Sequence, residues 1–393
     1  MPRLRIPAVV VFAATALAAT PSLASAWTLD RSFGGDGVVA IGNTVLPTAG
    51  YLTGSWVAKA RVLPSGTTVV ADDQFRVTRV GRSGAAVRSR ICPINRRRWS
   101  GFLDASWITG DGRVRGVNKT YSPDRSMLVG ASRMCGADPR VGPGGERELA
   151  LARGGNPLER EPPFSGRSAN GYEVTAGRFG TLVHSRPFTE PAVRVRRFDS
   201  AGRSLGRRIL RLSSRTAAVA AGANSTTLAV VLRRDRSVVG GGGYKLERYR
   251  ADGSRDRRLA VAVSADAIEP LAGGVIRVGS MVVSRTGRLI GSGRTAASNG
   301  RHVVIATLTR QRPARLRIRR CRVSGERCTV STVALPIAGT PRRPSVYLRA
   351  IAPGPAGRLV LVVSRVRFDF EVDRDDTAYT SEGRYLVRLR LSR

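Results

Sequence analysis

The sequence predicts an all-β fold, and two observations carry that prediction. Short apolar runs recur along the chain, each bounded by the Gly, Ser, Asp or Pro residues that commonly end strands. These runs are apolar on both faces, as expected of strands buried between two layers. They occupy residues 67–71, 228–232, 303–308 and 359–363.

A second class of strand alternates apolar residues with arginine, so one face of each is expected to meet solvent. This class occupies residues 193–196, 316–319 and 387–391. The one fair helix candidate is residues 146–153, a short stretch with glycines on both sides. We therefore expect strands almost throughout.

A turn-and-strand unit recurs along the chain: a small or polar residue, glycine, a polar residue and then an apolar run. Copies begin at residues 64, 110, 178, 285 and 355, and a copy without glycine begins at residue 234. The spacing suits four-stranded blades with uneven loops, because propeller repeats run roughly 40 to 50 residues. The sequence thus predicts a β-propeller of about six blades, with room for a seventh in the long intervals.

One glycine-rich motif stands near the start of the chain, at residues 29–38, LDRSFGGDGV. It resembles the LDxSFGxxGxV signature of delta-60 repeats, which occur in tandem in secreted bacterial proteins. Degenerate copies of other parts of that repeat are found at residues 148–153, 248–256 and 285–293. The resemblance implies a β-propeller-like fold and, since the family has no general activity, no reaction.

The order of these pieces predicts how the ring closes. In the tandem repeat an apolar strand precedes the signature, whereas here the signature is early and the matching strand, residues 385–391, is late. We expect the N-terminal segment to pair with this C-terminal strand and complete one blade, which removes exposed sheet edges. The alternative is that the motif only leads into the first blade. Residues 27–393 are expected to form a single domain.

Residues 1–26 have the three parts of a secretory signal peptide. Arg3 and Arg5 provide a basic start, residues 6–19 an apolar core, and Ala24 and Ala26 the small residues of a cleavage site. We expect cleavage after Ala26 and a secreted or cell-envelope protein. A retained anchor is the weaker alternative, because the core is shorter than the roughly 18 residues that a spanning helix needs. No transmembrane span is expected after cleavage.

The chain is strongly basic, with 66 Lys and Arg against 28 Asp and Glu and a formal net charge of +38. A GC-rich genome would explain the excess of arginine over lysine, but so positive a surface still attracts polyanions. The expected partners are anionic polymers such as envelope polysaccharide or extracellular DNA, bound by a monomer.

A local candidate for polyanion binding is the cluster Arg96, Arg97, Arg98 and Trp99, where guanidinium groups could bind phosphate and the indole could stack on a base or sugar. The alternative is an ordinary solvated loop.

Four cysteines in an exported chain indicate disulfides rather than metal ligands. Cys321 and Cys328 flank a turn at Ser324 and Gly325, so they can face each other across a hairpin. That pairing leaves Cys92 to bond Cys135.

The best candidate for a chemical site is an acidic strand. Asp369, Glu371 and Asp373 alternate with apolar residues, so a strand would place the three carboxylates on one face. They could hold a cation such as calcium, serve as acid and base in glycoside cleavage, or simply balance nearby arginines. No other cofactor is expected.

The two histidines, His184 and His302, fall in no catalytic motif. The leading prediction is therefore a non-enzymatic binding or structural module. The alternative is an exported hydrolase or lyase that uses the propeller channel.

Overall fold

The structure is a computed structural model, and it describes the greater part of the chain in segments. These are residues 26–47, 59–72, 75–92, 105–119, 125–131, 135–150, 173–177, 180–185, 192–199, 201–211, 218–223, 227–233, 244–250, 252–263, 268–293, 295–311, 314–337, 345–369 and 379–392.

The described residues form 29 strands in seven antiparallel sheets. Two N-terminal strands join the last sheet: β1 (Trp27–Leu29) and β2 (Val38–Pro47). Blade 1 consists of β3 (Lys59–Val62), β4 (Thr68–Ala71), β5 (Arg76–Val80) and β6 (Val87–Ile91). Blade 2 consists of β7 (Ala105–Ile108), β8 (Val114–Lys119), β9 (Arg125–Ala131) and β10 (Glu146–Ala150).

The middle of the chain supplies three further blades of the same plan. Blade 3 consists of β11 (Glu173–Gly177), β12 (Gly180–Ser185), β13 (Ala192–Phe198) and β14 (Ser204–Arg211). Blade 4 consists of β15 (Ala218–Ala223), β16 (Thr227–Arg233), β17 (Tyr244–Arg250) and β18 (Arg255–Val263). Blade 5 consists of β19 (Ile268–Pro270), β20 (Ile276–Val278), β21 (Met281–Val283) and β22 (Leu289–Ser292).

The last two blades complete the set. Blade 6 consists of β23 (Thr295–Ser298), β24 (His302–Gln311), β25 (Ala314–Arg322) and β26 (Thr329–Ala334). Blade 7 consists of β27 (Ser345–Pro353), β28 (Arg358–Asp369) and β29 (Tyr379–Leu391), with β1 and β2 as its outer edge.

The first strands of successive blades lie against one another and form a ring. Strand β3 contacts β7, β7 contacts β11, β11 contacts β15 and β15 contacts β19. Blade 5 contacts blade 6 through the turn at Gly273, which packs on Gly300. Strand β23 contacts β27, and β27 contacts β3, which closes the ring. The fold is therefore a β-propeller whose described sheets make seven blades, the upper end of the predicted range.

The N-terminal segment closes the ring, as the order of the sequence motifs predicted. Strand β1 pairs with residues 389–391 of β29, and β2 pairs with residues 379–387 of the same strand. Residue Arg388 lies between them: its N–H donates to Gly37 O, and its carbonyl accepts from Asp30 N–H. The two N-terminal strands thus act as one outer strand of blade 7, interrupted by a loop at residues 30–37, here called the closing loop.

In blades 1 to 6 the first-to-second and third-to-fourth connections lie at the same end, because the four strands of each blade are antiparallel and consecutive. Turns of neighbouring blades form hydrogen bonds with one another at this end. Thr286 Oγ1 of blade 5 donates to Ser324 O of blade 6, and Gly34 N–H of the closing loop donates to Ser83 O of blade 1. We call this end of the ring the turn face.

The apolar runs that the sequence marks as doubly buried became second strands of blades, namely β4, β16, β24 and β28. Val69 and Ala71 of β4 and Leu359, Leu361 and Val363 of β28 are fully buried. The arginine-alternating runs became third strands, namely β13, β25 and β29.

The one helix candidate, residues 146–153, forms a strand in its described part. Residues Glu146–Ala150 form β10, which pairs with β9 along its whole length, and the remainder lies outside the described residues. Leu149 of β10 is fully buried in one cluster with Leu128 and Phe198. Packing between blades 2 and 3 therefore stabilises a strand in this segment and overrides its local preference for helix.

Both predicted disulfides form. Cys321 bonds Cys328 across the turn that holds Ser324 and Gly325, within blade 6. Cys92 bonds Cys135, so the bridge links the end of blade 1 to blade 2. No helix in the described part of the chain is long and apolar enough to cross a membrane.

Candidate functional site

Most of the predicted site residues lie outside the described part of the chain. This holds for Arg96, Arg97, Arg98 and Trp99, and also for Glu371 and Asp373. Asp369 is the last residue of β28. Over the residues that the structure describes, no group of three or more His, Cys, Asp or Glu side chains could hold a metal ion.

Many arginines that the structure describes form ion pairs with carboxylates, and one such pair, almost fully buried, lies at the closing loop. Asp30 Oδ2 lies 2.9 Å from Arg388 Nε and 3.1 Å from Arg358 Nε, and the Asp30 and Arg388 side chains are almost fully buried. Burial works to raise the pKa of Asp30, but the hydrogen bond from Ser32 and the charges of Arg388 and Arg358 together hold it below its ordinary value. These arginines are structural.

Blade 2 has a second network of this kind. Fully buried Asp138 accepts from Arg113 Nη1 at 2.8 Å and from Arg115 Nη2 at 2.5 Å, and Arg113 Nε donates to Asp111 at 2.9 Å. Burial opposes ionisation of Asp111, yet hydrogen bonds from Thr109 and Arg113 lower its pKa to about 2. Arg113 and Arg115 are therefore held by carboxylates, and this network is structural.

A different arrangement occurs on the turn face of blade 6. Arg301 stands in the turn between β23 and β24, His302 begins β24, and Arg320 and Arg322 end β25. Arg322 lies directly opposite His302 in the β24–β25 ladder, and Arg320 is two residues further along. We call these four residues the blade-6 basic cluster.

The backbone fixes this cluster in place. Asn299 Oδ1 accepts hydrogen bonds from the N–H groups of Arg301 and His302, at 3.0 and 2.8 Å, which shapes the turn. Arg301 O accepts from Val323 N–H at 3.1 Å, so the two turns of blade 6 are joined. Strand alternation places His302 and Arg320 on the face that packs against blade 7 through Val304 and Ile318.

His302 is neutral and oriented by an arginine. Its Nε2 lies 3.2 Å from Arg320 Nη2, and since a guanidinium only donates, Nε2 must accept and the ring proton is on Nδ1. Burial, followed by the charges of Arg320, Arg322 and Arg301, lowers the pKa of His302. Burial and the neighbouring arginine charges therefore both favour the neutral form of the imidazole.

The three arginines of the cluster have no ion pair with a carboxylate among the residues that the structure describes. Glu326, the acid in the adjacent turn, is exposed and accepts from Ser324 Oγ at 3.4 Å. Arg301 and Arg322 are exposed, and Arg320 is half-buried. Three forked donors around a neutral imidazole can bind an anionic group such as phosphate, sulfate or carboxylate.

Sequence reasoning did not find this cluster. Its members come from around the start of β24 and from the end of β25, about 20 residues apart in the chain, and only strand pairing brings them together. The available signals were the arginine alternation of residues 316–319 and a histidine beside Arg301.

Comparison with known proteins finds no family for this chain. No protein-family profile matches the sequence, and no curated protein matches it. Among solved structures, the chain is similar to the RRP9 WD40 repeats, at 12% identity and a TM-score of 0.45, over 88% of this chain and 97% of that one.

Two further solved structures are also similar to this chain. The β-propeller domain of Myceliophteria thermophila Cps50 (Swd1) matches at 9% identity and a TM-score of 0.40, over 87% of this chain and 99% of that one. BamB from Moraxella catarrhalis matches at 12% identity and a TM-score of 0.33, over 83% and 84%. At such low identity these likenesses carry no functional conclusion.

Proposed function

We propose that this protein is a secreted, non-enzymatic binding module for anionic polymers and that the blade-6 basic cluster is part of its binding surface. The observation that carries the proposal is the grouping of Arg301, Arg320 and Arg322 around neutral His302 on an exposed turn face. Guanidinium groups without carboxylate partners are the side chains best suited to bidentate binding of phosphate or sulfate.

The composition supports the same partner class. The chain has 66 basic residues against 28 acidic ones, so its surface carries a large excess of positive charge. Such a surface raises the local concentration of polyanions and accelerates their association, an effect that salt screens. The proposed partners are envelope polysaccharide or extracellular DNA.

Export and family membership are part of the proposal. The leader at residues 1–26 supports secretion with cleavage after Ala26, and the two disulfides are compatible with an oxidising compartment. Residues 29–38, which resemble the delta-60 signature, form the closing loop and the ends of the strands beside it.

Two matched double variants test the proposed surface. Arg320→Gln with Arg322→Gln removes two charges from the cluster, and Arg315→Gln with Arg317→Gln removes two from the opposite face of the same strand, where both arginines are exposed. Binding of a short DNA duplex and of a sulfated polysaccharide is measured across a salt series.

We expect the cluster variant to bind roughly tenfold more weakly at low salt. For duplex binding, the slope of log K against log salt concentration should be shallower by about 2. The control variant should stay within about twofold of the parent protein. Equal losses in both variants would show that net charge alone governs binding and would refute a localised site.

A further inference from the structure

One ion pair of this protein joins blades that are not neighbours. Lys59 Nζ, on the innermost strand of blade 1, lies 2.7 Å from Glu269 Oε1, on the innermost strand of blade 5. In the ring, blades 6 and 7 separate these two on one side and blades 2, 3 and 4 on the other. A direct contact between their innermost strands therefore spans the central channel.

Both oxygens of the Glu269 carboxylate are used. Oε2 accepts from Arg277 Nε at 3.0 Å and from Arg277 Nη2 at 2.8 Å, while Arg277 Nη1 donates to Gly279 O. Arg277 is the cross-strand partner of Glu269 on β20. The arginine thus orients the carboxylate from within blade 5, and Lys59 reaches it from the far wall.

Part of the inner wall of the ring carries small side chains, since strand β23 reads TAAS. The Lys59 and Glu269 side chains are 32% and 31% exposed, as expected for groups that cross a narrow, water-filled space.

We propose that Lys59, Glu269 and Arg277 form an ionic cross-brace that closes the central channel at the level of the innermost strands, so ligands engage the surface of the ring rather than pass through it. The cross-brace does not depend on the proposed anion binding, since it uses none of the residues of the blade-6 basic cluster.

The charges of the cross-brace do not change with pH near neutrality. Burial would raise the pKa of Glu269, but Lys59 and Arg277 lower it to about 2. The carboxylate is therefore ionised at every pH near neutrality. A carboxylate held in the ionised form does not act as a general acid.

The lysine content makes the test direct, because lysine occurs only at positions 59, 119 and 245. An amine-selective acylating reagent is applied to the parent protein and to Glu269→Gln, and each lysine is quantified by peptide mass spectrometry. We expect labelling of Lys59 to rise several-fold in the variant, with labelling of Lys119 and Lys245 unchanged. Glu326→Gln, an exposed carboxylate removed elsewhere, is the charge-matched control and should change none of them.

A partly solvated ion pair contributes little to stability, so the variant should fold and unfold at close to the same temperature as the parent protein. A double-mutant cycle with Lys59→Gln and Glu269→Gln measures the coupling between the two side chains independently of labelling. Unchanged labelling of Lys59 in Glu269→Gln, together with additive single-variant effects on stability, would overturn the cross-brace.

Discussion

At the residue scale, arginine has two distinct roles in this protein. Arg388 is almost fully buried, donates to Ser32 Oγ at 2.9 Å, and stacks over the ring of Phe33, 4.4 Å from its centroid. It also neutralises buried Asp30. Arg301 and Arg322, by contrast, are exposed and have no carboxylate partner in the described part of the chain. Arg388 stabilises the closure of the ring, whereas Arg301 and Arg322 are available to bind an anionic ligand.

Substitution of Arg388 tests the structural role. Arg388→Gln leaves Asp30 buried without its main counter-ion, so we expect the free energy of unfolding to fall by about 3 kcal/mol in urea titrations. Arg390→Gln, two residues along the same strand and exposed, should change stability by no more than about 0.5 kcal/mol. Similar effects of the two substitutions would mean that the buried pair does not secure the closure.

At the element scale, the closing loop is held by the shape of the turn beside it. Gly84, in the turn between β5 and β6, has a φ of +87°, and a Cβ there would come within 2.8 Å of Gly34 N and 2.6 Å of Val39 Cγ2. Phe33, which is fully buried, lies against the same glycine. Only glycine allows blade 1 to approach the N-terminal segment this closely.

Two glycine substitutions separate backbone strain from this contact. Gly35→Ala meets no atom within 4 Å at a φ of +89°, so it should cost about 1 kcal/mol, from backbone strain alone. Gly84→Ala adds the clash with the closing loop and should cost about 1 to 3 kcal/mol more. Thermal unfolding of the two variants measures the difference. Equal melting temperatures would show that the loop is not packed against Gly84.

The repeat unit in the sequence located most blades but not their number. The copies at residues 64, 110 and 355 became first-to-second turns of blades 1, 2 and 7, whereas the copy at residue 285 is the third-to-fourth turn of blade 5. Turns of both kinds use the same residues, because each needs a glycine at positive φ, as at Gly66 and Gly287. A local pattern cannot tell which pair of strands a turn connects, so the sequence indicated about six blades where seven form.

At the scale of the whole molecule, contacts distant in sequence decide closure, bracing and the candidate site. Pairing of β1 and β2 with β29 was predictable, because the order of two motifs implied it. The ion pair of Lys59 with Glu269 was not, since the two residues are 210 positions apart and meet only across a closed ring. The blade-6 basic cluster was also missed, because its members share a surface only once the β24–β25 ladder sets their register.

The most direct test of anion binding at the blade-6 basic cluster uses the two histidines of the chain as probes. Proton NMR titration follows His302 and His184, assigned with a His302→Gln variant, with and without a saturating short heparin oligosaccharide. An anion among Arg301, Arg320 and Arg322 favours the imidazolium form, so the pKa of His302 should rise by about 1 while that of His184 stays constant. The rise should disappear in the Arg320→Gln, Arg322→Gln variant. An unchanged pKa of His302 at saturation would place the bound anion elsewhere and contradict the account.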